Sequence, residues 1–159
     1  MNPVAERLIA ALGLAPHPEG GWYRETWRGA AQVDLGRGPR STGTSIYYLL
    51  AGGARSRLHT LAADEIWHHH AGDPVTVHVF DGDGHRAIRL GDAAAPSPAW
   101  QAVVPAGAAF GAELDGPLAW CLVGCTVAPG FDFADFAWAD AGGLRRRHPA
   151  AAAVIDRLA

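Results

Sequence analysis

Charge is scarce in this chain of 159 residues: Asp, Glu, Lys and Arg together make up 18% of it, and the net charge is −3 at pH 7. So mild a balance offers no electrostatic footprint for nucleic acid or for an anionic membrane, and neither is expected as a partner. The one basic run, Arg145-Arg146-Arg147, reads as a solvated turn. Long apolar runs are missing as well. None approaches the roughly 20 residues that cross a bilayer. The opening MNPVAERLIAALG carries Glu6 and no basic stretch, so no secretory signal is expected there. Cysteine is nearly absent, with only Cys121 and Cys125. On one strand, four residues span about 13 Å, beyond disulfide reach. Two buried thiols in a reducing compartment are expected, and with them a cytoplasmic protein.

What is present is apolar and strongly punctuated. Hydrophobic residues make up 49% of the chain, and the length suits one domain over residues 1–159. Asn2 can cap a helix that starts at Pro3, with Ala5, Leu8, Ile9 and Leu12 on one face and Gly13 at its end. HPEGGWYRE then turns into an aromatic strand over residues 22–27. Residues 34–42 read as a loop from their Gly, Pro and Arg content. Short runs follow at 45–50, 56–61, 65–70, 75–80, 86–90, 100–104, 109–114 and 118–127. The breaks between them hold GG, AGDP, DGDG, PAG and DGP. Asp81-Gly82-Asp83-Gly84 is a hairpin turn, since it lacks the downstream glutamate of a calcium loop. A closing helix is expected over residues 149–158, with Val154, Ile155 and Leu158 on its apolar face. The pattern predicts a mainly β protein, an antiparallel sandwich or barrel with short terminal helices.

The chemistry-bearing residues cluster in two stretches. In the strand over residues 65–70, Glu65, Trp67 and His69 share one face, while Ile66, His68 and His70 share the other. Alternation prevents the three consecutive histidines from reaching one ion. An inward carboxylate is costly unless paired, protonated or metal-bound, and His59 on the preceding strand is the expected partner of Glu65. Such a pair can orient a base, hold a metal, or simply satisfy itself. The segment His17-Pro18-Glu19-Gly20-Gly21-Trp22-Tyr23-Arg24-Glu25 carries acids, a base and aromatics around two glycines. From it Glu19, Trp22 and Arg24 are candidate ligand-binding residues, Arg24 as a fork for a carboxylate or phosphate. Tyr47 and Tyr48 face opposite ways, so only one can enter a cavity. Tyr48, Trp67 and His69 complete the ligand-binding set.

Gly53, His59, Glu65 and Gly72 have the spacing glycine–x5–His–x–His–x3–Glu–x6–glycine, with Leu61 at the second histidine. This resembles the first signature of the cupin superfamily. Three motifs, HPEGGWYRE, DEIWHHHAGDP and VGCTVAPGFDFADF, occur in order over nearly the whole chain and are similar to a small branch of RmlC-like cupins of unknown function. The resemblance implies a jelly-roll double-stranded β-helix barrel, usually a homodimer, with a small-molecule pocket inside. In the second signature, Pro105-Ala106-Gly107, Phe110 stands where the family has its remaining metal histidine. With Leu61 and Phe110 in those places no metal cofactor is expected, and any divalent ion would have to use His59, Glu65 and His69. Metal-free epimerases of this type use a histidine at the position of His59 and a tyrosine on a late strand. All three tyrosines here, Tyr23, Tyr47 and Tyr48, precede His59. Three readings follow. The first is a metal-independent isomerase or epimerase acting on a sugar or nucleotide sugar, with His59 as base and Glu65 orienting it. The second is a non-catalytic ligand-binding cupin. The third is a metal enzyme with a non-standard ligand set.

Overall fold

In a computed structural model, which describes residues 1–116 and 119–159, each turn signal separates two elements. Asn2 accepts a hydrogen bond from the Val4 N–H at 2.9 Å, and helix α1 runs Pro3–Leu12 until Gly13 ends it in the left-handed region. The chain then passes through β1 (Ala15–Pro16), β2 (Trp22–Arg28), β3 (Gln32–Asp34), β4 (Pro39–Ser41), β5 (Thr44–Ala51), β6 (Ser56–Leu61) and β7 (Asp64–Gly72). It continues with β8 (Val75–Asp81), β9 (Gly84–Leu90), β10 (Gln101–Val104), β11 (Ala109–Leu114), β12 (Trp120–Ala128) and β13 (Phe136–Trp138). Helices α2 (Ala141–Arg147) and α3 (Ala152–Leu158) close it.

Two antiparallel sheets face each other as a jelly roll. One has the order β1-β2-β5-β12-β7-β10 and the other β13-β6-β11-β8-β9. Inward side chains from both, including Tyr48, Leu50, Trp67, Val77, Phe110 and Val123, form the central core. Trp67 and Phe110 are almost wholly buried, and truncating such a ring costs roughly 3–5 kcal/mol. The apolar face of α1 covers the outside of the first sheet over Leu49 and Leu122, while Leu144, Ile155 and Leu158 cover the outside of the second.

Three local expectations change. The loop over 34–42 contains half of a small ribbon, because the Asp34 carboxylate gathers the N–H groups of Gly36 and Gly38 into a tight turn between β3 and β4. The arginine run is the last turn of α2, where cations complement the helix dipole. The closing helix is shorter than expected, starting at Ala152 after a 3-10 turn over Pro149–Ala151. Of the strand expected over 118–127, Leu118 lies outside the described residues.

The segment that shapes the interior most is irregular. Residues 17–21 form a strap across the edge of both sheets. The Gly20 N–H bonds the His17 carbonyl at 3.0 Å, and the Arg57 N–H bonds the Glu19 carbonyl at 2.9 Å. Gly20 has φ +113°, and a Cβ there would lie 2.1 Å from the Arg55 carbonyl oxygen. Only glycine allows both that angle and that approach. Gly20→Ala should therefore lower stability by about 2 kcal/mol in chemical denaturation. An unchanged midpoint would mean that the strap does not rest on β6.

Candidate functional site

Four separate segments bring acids and bases to one point between the sheets. The strap brings Glu19, β6 brings Ser56 and His59, β7 brings Glu65, and β12 brings Cys125. Simple alternation would not place Ser56 and His59 on the same side, since they are three residues apart. A bulge does so: Ser56 pairs with Ala112 and His59 with Phe110, three steps on β6 against two on β11. Both side chains then meet Glu19.

The Glu19 carboxylate accepts the Ser56 hydroxyl at 3.0 Å and lies 2.7 Å from His59 Nδ1 and 3.1 Å from His17 Nδ1. His59 Nδ1 also lies 2.6 Å from the Arg57 carbonyl. A carbonyl and a carboxylate can only accept, so Nδ1 carries a proton, and Nε2 is the atom left for chemistry. The imidazole rests between Phe110, at 4.1 Å between centroids, and Phe136, stacked at 5.2 Å. Burial disfavours its charged form. The Glu19 charge, the bond to it and the Arg57 carbonyl outweigh that and raise its pKa above 6.5. For Glu19, burial works upward, but His59, His17 and Ser56 bring its pKa below the ordinary value.

Glu65 faces them from the opposite sheet. Burial, then the nearby Glu19 charge, raise its pKa from 4.5 to about 7, against the partial relief of His59, Cys125 and Trp67. The Trp67 indole N–H has no well-formed hydrogen bond of its own but is near enough to favour the Glu65 carboxylate. Burial and Glu65 together push the Cys125 thiol well up, so it serves as a neutral donor to Glu65 and not as a nucleophile.

His17, Glu19, Tyr23, Glu25, His59 and Glu65 are the titratable lining, with Cys125, of a cavity of about 50 Å³. Its apolar wall includes Ile46, Leu61, Val127, Phe131 and Phe136. The cavity shares Tyr23, Glu25 and Phe131 with an outer groove of about 650 Å³, which also touches Arg24 and Arg28.

The expected site is thus partly assembled. His59, Glu65 and Glu19 line one cavity, but the group that orients His59 is Glu19, not Glu65. Tyr48 and Trp67 form the packed wall behind them, edge to face at 5.6 Å, with the Tyr48 hydroxyl donating to the Gly20 carbonyl at 2.7 Å. Trp22 does not reach the cavity: it packs on the outer side of the sheet beneath α1. Arg24 lies in the outer groove. On β2 the faces are the reverse of those expected, and Tyr23 and Glu25 are the inward pair.

His69 keeps the inward parity but sits at the far end of β7. Its Nε2 lies 3.1 Å from the Asp73 carbonyl, and its ring meets Trp100. His68 turns outward to Gln101 and Thr126, and His70 packs on the outer side near Tyr47. The three histidines therefore diverge. Leu61 lines the cavity and Phe110 covers His59, and neither can donate to an ion. Among the described residues no group of three or more His, Cys, Asp or Glu side chains is arranged to hold a metal. The residues present do not fit the metal centre of the resemblance.

Sequence reasoning also passed over Ser56, Cys125, Phe131 and Phe136. Cys125 follows Val123 by two, so alternation alone could have set it beside Val123 on the inward face.

Residues 6–139 match a family described as Cupin superfamily (DUF985). A hypothetical protein from Leishmania major is 38% identical with a TM-score of 0.86, covering 98% of each chain. A protein from Shewanella oneidensis is 35% identical with a TM-score of 0.86, covering 100% of this chain and 98% of that one. A cupin-2 domain protein from Rhodospirillum rubrum, 16% identical with a TM-score of 0.60 over 91% of this chain and 82% of that one, shares the fold. No curated protein matches the chain.

The raised pKa of Glu65 has a thermodynamic consequence. The folded state holds the Glu65 proton more tightly than the unfolded one. Stability is therefore greatest below pH 4.5 for this group and is lost as the pH rises to about 7. The loss is on the order of 3 kcal/mol. Glu65→Gln is expected to be more stable than the parent at pH 8 and equal to it near pH 4. Equal denaturation midpoints at both pH values would show Glu65 to be an ordinary, well-paired carboxylate.

Proposed function

The chain belongs to the DUF985 family of the cupin superfamily, and we propose that its barrel is an isomerase or epimerase site that moves a proton on a small polar carbonyl compound. The observation that carries this reading is the pairing, in one cavity, of a carboxyl group titrating at about 7 with an imidazole held by a carboxylate. A carboxyl group pushed up to about 7 beside an imidazole whose pKa is raised by a carboxylate is an arrangement that general acid–base catalysis uses.

The chemistry follows from the charges. Glu65 as carboxylate takes the proton α to the substrate carbonyl: the C–H bond breaks and an O–H bond forms on Glu65. His59 as imidazolium gives its Nε2 proton to the carbonyl oxygen, so the electron pair of the broken C–H bond ends in a neutral enediol. Returning the protons in the other sense yields the isomer or the inverted centre and restores both groups. Glu19 is a positioning residue. It fixes the tautomer of His59 and stabilises its cation, as the second acid of a carboxylate–histidine pair does. The apolar wall keeps water from the enediol. Relative to the expectation that His59 is the base, the roles are exchanged, because Glu19 favours the cation of His59 while burial leaves Glu65 the more basic carboxylate.

α-Proton exchange measured by ¹H NMR in D₂O over a panel of aldoses, ketoses and α-hydroxy aldehydes tests the reading. His59→Gln and Glu65→Gln should each slow exchange by roughly 100-fold or more without unfolding the protein. Exchange no faster than in buffer across the panel would sink the reading and leave a ligand-binding barrel.

The pH profile carries a separate prediction. The active form needs Glu65 ionised and His59 protonated, so kcat/KM should rise through about pH 7 and fall through the raised pKa of His59. Glu19→Gln removes the charge that raises both. Each limb should move to lower pH, whereas a merely structural role would lower the rate and leave the limbs in place.

A further inference from the structure

We infer, resting on the acid–base role of His59 and Glu65, that the substrate is uncharged where it reacts: a hydroxy aldehyde or hydroxy ketone with no carboxylate or phosphate on its carbonyl carbon or on the carbon that loses the proton. The charges around the chamber set this limit. Glu19, Glu25 and Glu65 all line it, and among the described residues no arginine does. Lysine is absent from the whole chain. Glu25 is already held by Arg28 at both oxygens, at 3.0 and 2.7 Å. Glu19 is held by His59 at 2.7 Å and lies 3.1 Å from His17. Glu65 makes no ion pair among the described residues and is relieved only in part by His59, Cys125 and Trp67. Once it gives up its proton, as abstraction requires, the chamber holds one negative charge without a partner.

The rest of the lining does not supply the missing cation. Burial, aided by the neighbouring His59, outweighs the pull of Glu19 and holds the His17 pKa below 6.5. Burial keeps the Tyr48 hydroxyl and the Cys125 thiol neutral. Ile46, Leu61, Val127 and Phe136 carry no donor in their side chains, and the Phe131 N–H is already given to Thr44 Oγ1 at 2.9 Å. An anionic group beside the reacting carbon would therefore lie near Glu65 with little to replace its lost hydration. It can enter only when Glu65 keeps its proton, and a protonated Glu65 is no base. A hydroxyl or a hydrogen in the same place carries no such penalty, and Tyr23 and Thr44 give the wall an uncharged polar part that suits it. The protonation state that runs the reaction thus excludes keto acids and hydroxy acids.

The test uses a matched pair that differs in charge, glycolamide and glycolate, neither of which has a reactive aldehyde or ketone, so binding is read apart from turnover. Both are titrated into the protein between pH 6 and 8.5 while the ring resonances of His59 are followed by NMR and proton uptake is followed by calorimetry in two buffers. Glycolamide should shift His59 with an affinity that changes little over this range. Glycolate should weaken by about tenfold per pH unit above about 7, and at pH 8 each glycolate bound should take up about one proton. Glu65→Gln should abolish the uptake and bring the two affinities to within roughly threefold of each other. The uptake is read in the parent protein and does not depend on the variant folding. Glycolate that binds at pH 8 as tightly as glycolamide without proton uptake would overturn the inference, as would glycolamide that leaves His59 unmoved. Turnover separates the two claims. Dihydroxyacetone should exchange its α-protons and hydroxypyruvate should not; equal exchange would count against the uncharged substrate alone, and no exchange with the binding results intact would count against the catalytic reading alone.

Discussion

Two buried carboxylates face each other across the candidate site, and both of its imidazoles, His17 and His59, gather on one of them, Glu19. Glu19 claims His59 at 2.7 Å and has the Ser56 hydroxyl besides. Glu65, across the gap between the sheets, receives only a thiol and an imperfectly aimed indole N–H. Ile46, Leu61, Val127 and Phe136 add an apolar wall, and burial there disfavours the charged carboxylate. The surplus charge is relieved by proton binding, which is why Glu65 titrates at about 7. A buried charge imbalance of this kind weakens the fold. Here the same imbalance prepares a carboxyl group to exchange a proton near neutral pH.

The backbone devices around the site all serve to hold this arrangement. The strap over residues 17–21 can lie against β5 and β6 only because Gly20 and Gly21 have no side chain where Arg55 and Leu49 carbonyls pass. The bulge in β6 turns Ser56 and His59 to the same side. Arg28 ties Glu25 to the Phe131 carbonyl and so joins β2 to the segment that follows β12, at two residues that line both cavity and groove. Where the resemblance implies metal histidines, Leu61 and Phe110 dry and wedge the imidazole instead. The polar work has passed to the strap, which is not part of either sheet's regular pairing.

Legibility in the sequence followed the regularity of the backbone. Period-two runs and Gly, Pro and Asp breaks located the strands, the Asp81–Gly84 hairpin and the capped N-terminal helix, since these depend on neighbours in the chain. The ribbon of β3 and β4 was hidden because its turn rests on one carboxylate binding two N–H groups. In WYRE, alternation shows that Trp22 goes with Arg24 and Tyr23 with Glu25. It cannot show which pair faces inward. That is decided by α1, which covers the outer face and buries Trp22 there. The histidine run was the loudest signal and the least useful one: strand geometry sends His68 and His70 outward and leaves His69 at the wrong end.

By itself, then, the sequence determined an antiparallel β sandwich or barrel, the spacing that puts His59 and Glu65 on consecutive strands, and the absence of donors at Leu61 and Phe110. These are matters of local period and residue type. Only the tertiary structure decided that Glu19 and not Glu65 holds His59, that Cys125 meets Glu65, and that a small chamber shares Tyr23, Glu25 and Phe131 with a wide groove. Each of those facts joins residues dozens of positions apart across a strap, a bulge or the gap between two sheets. Local patterns carry no information about which side chains will compete for the same buried proton.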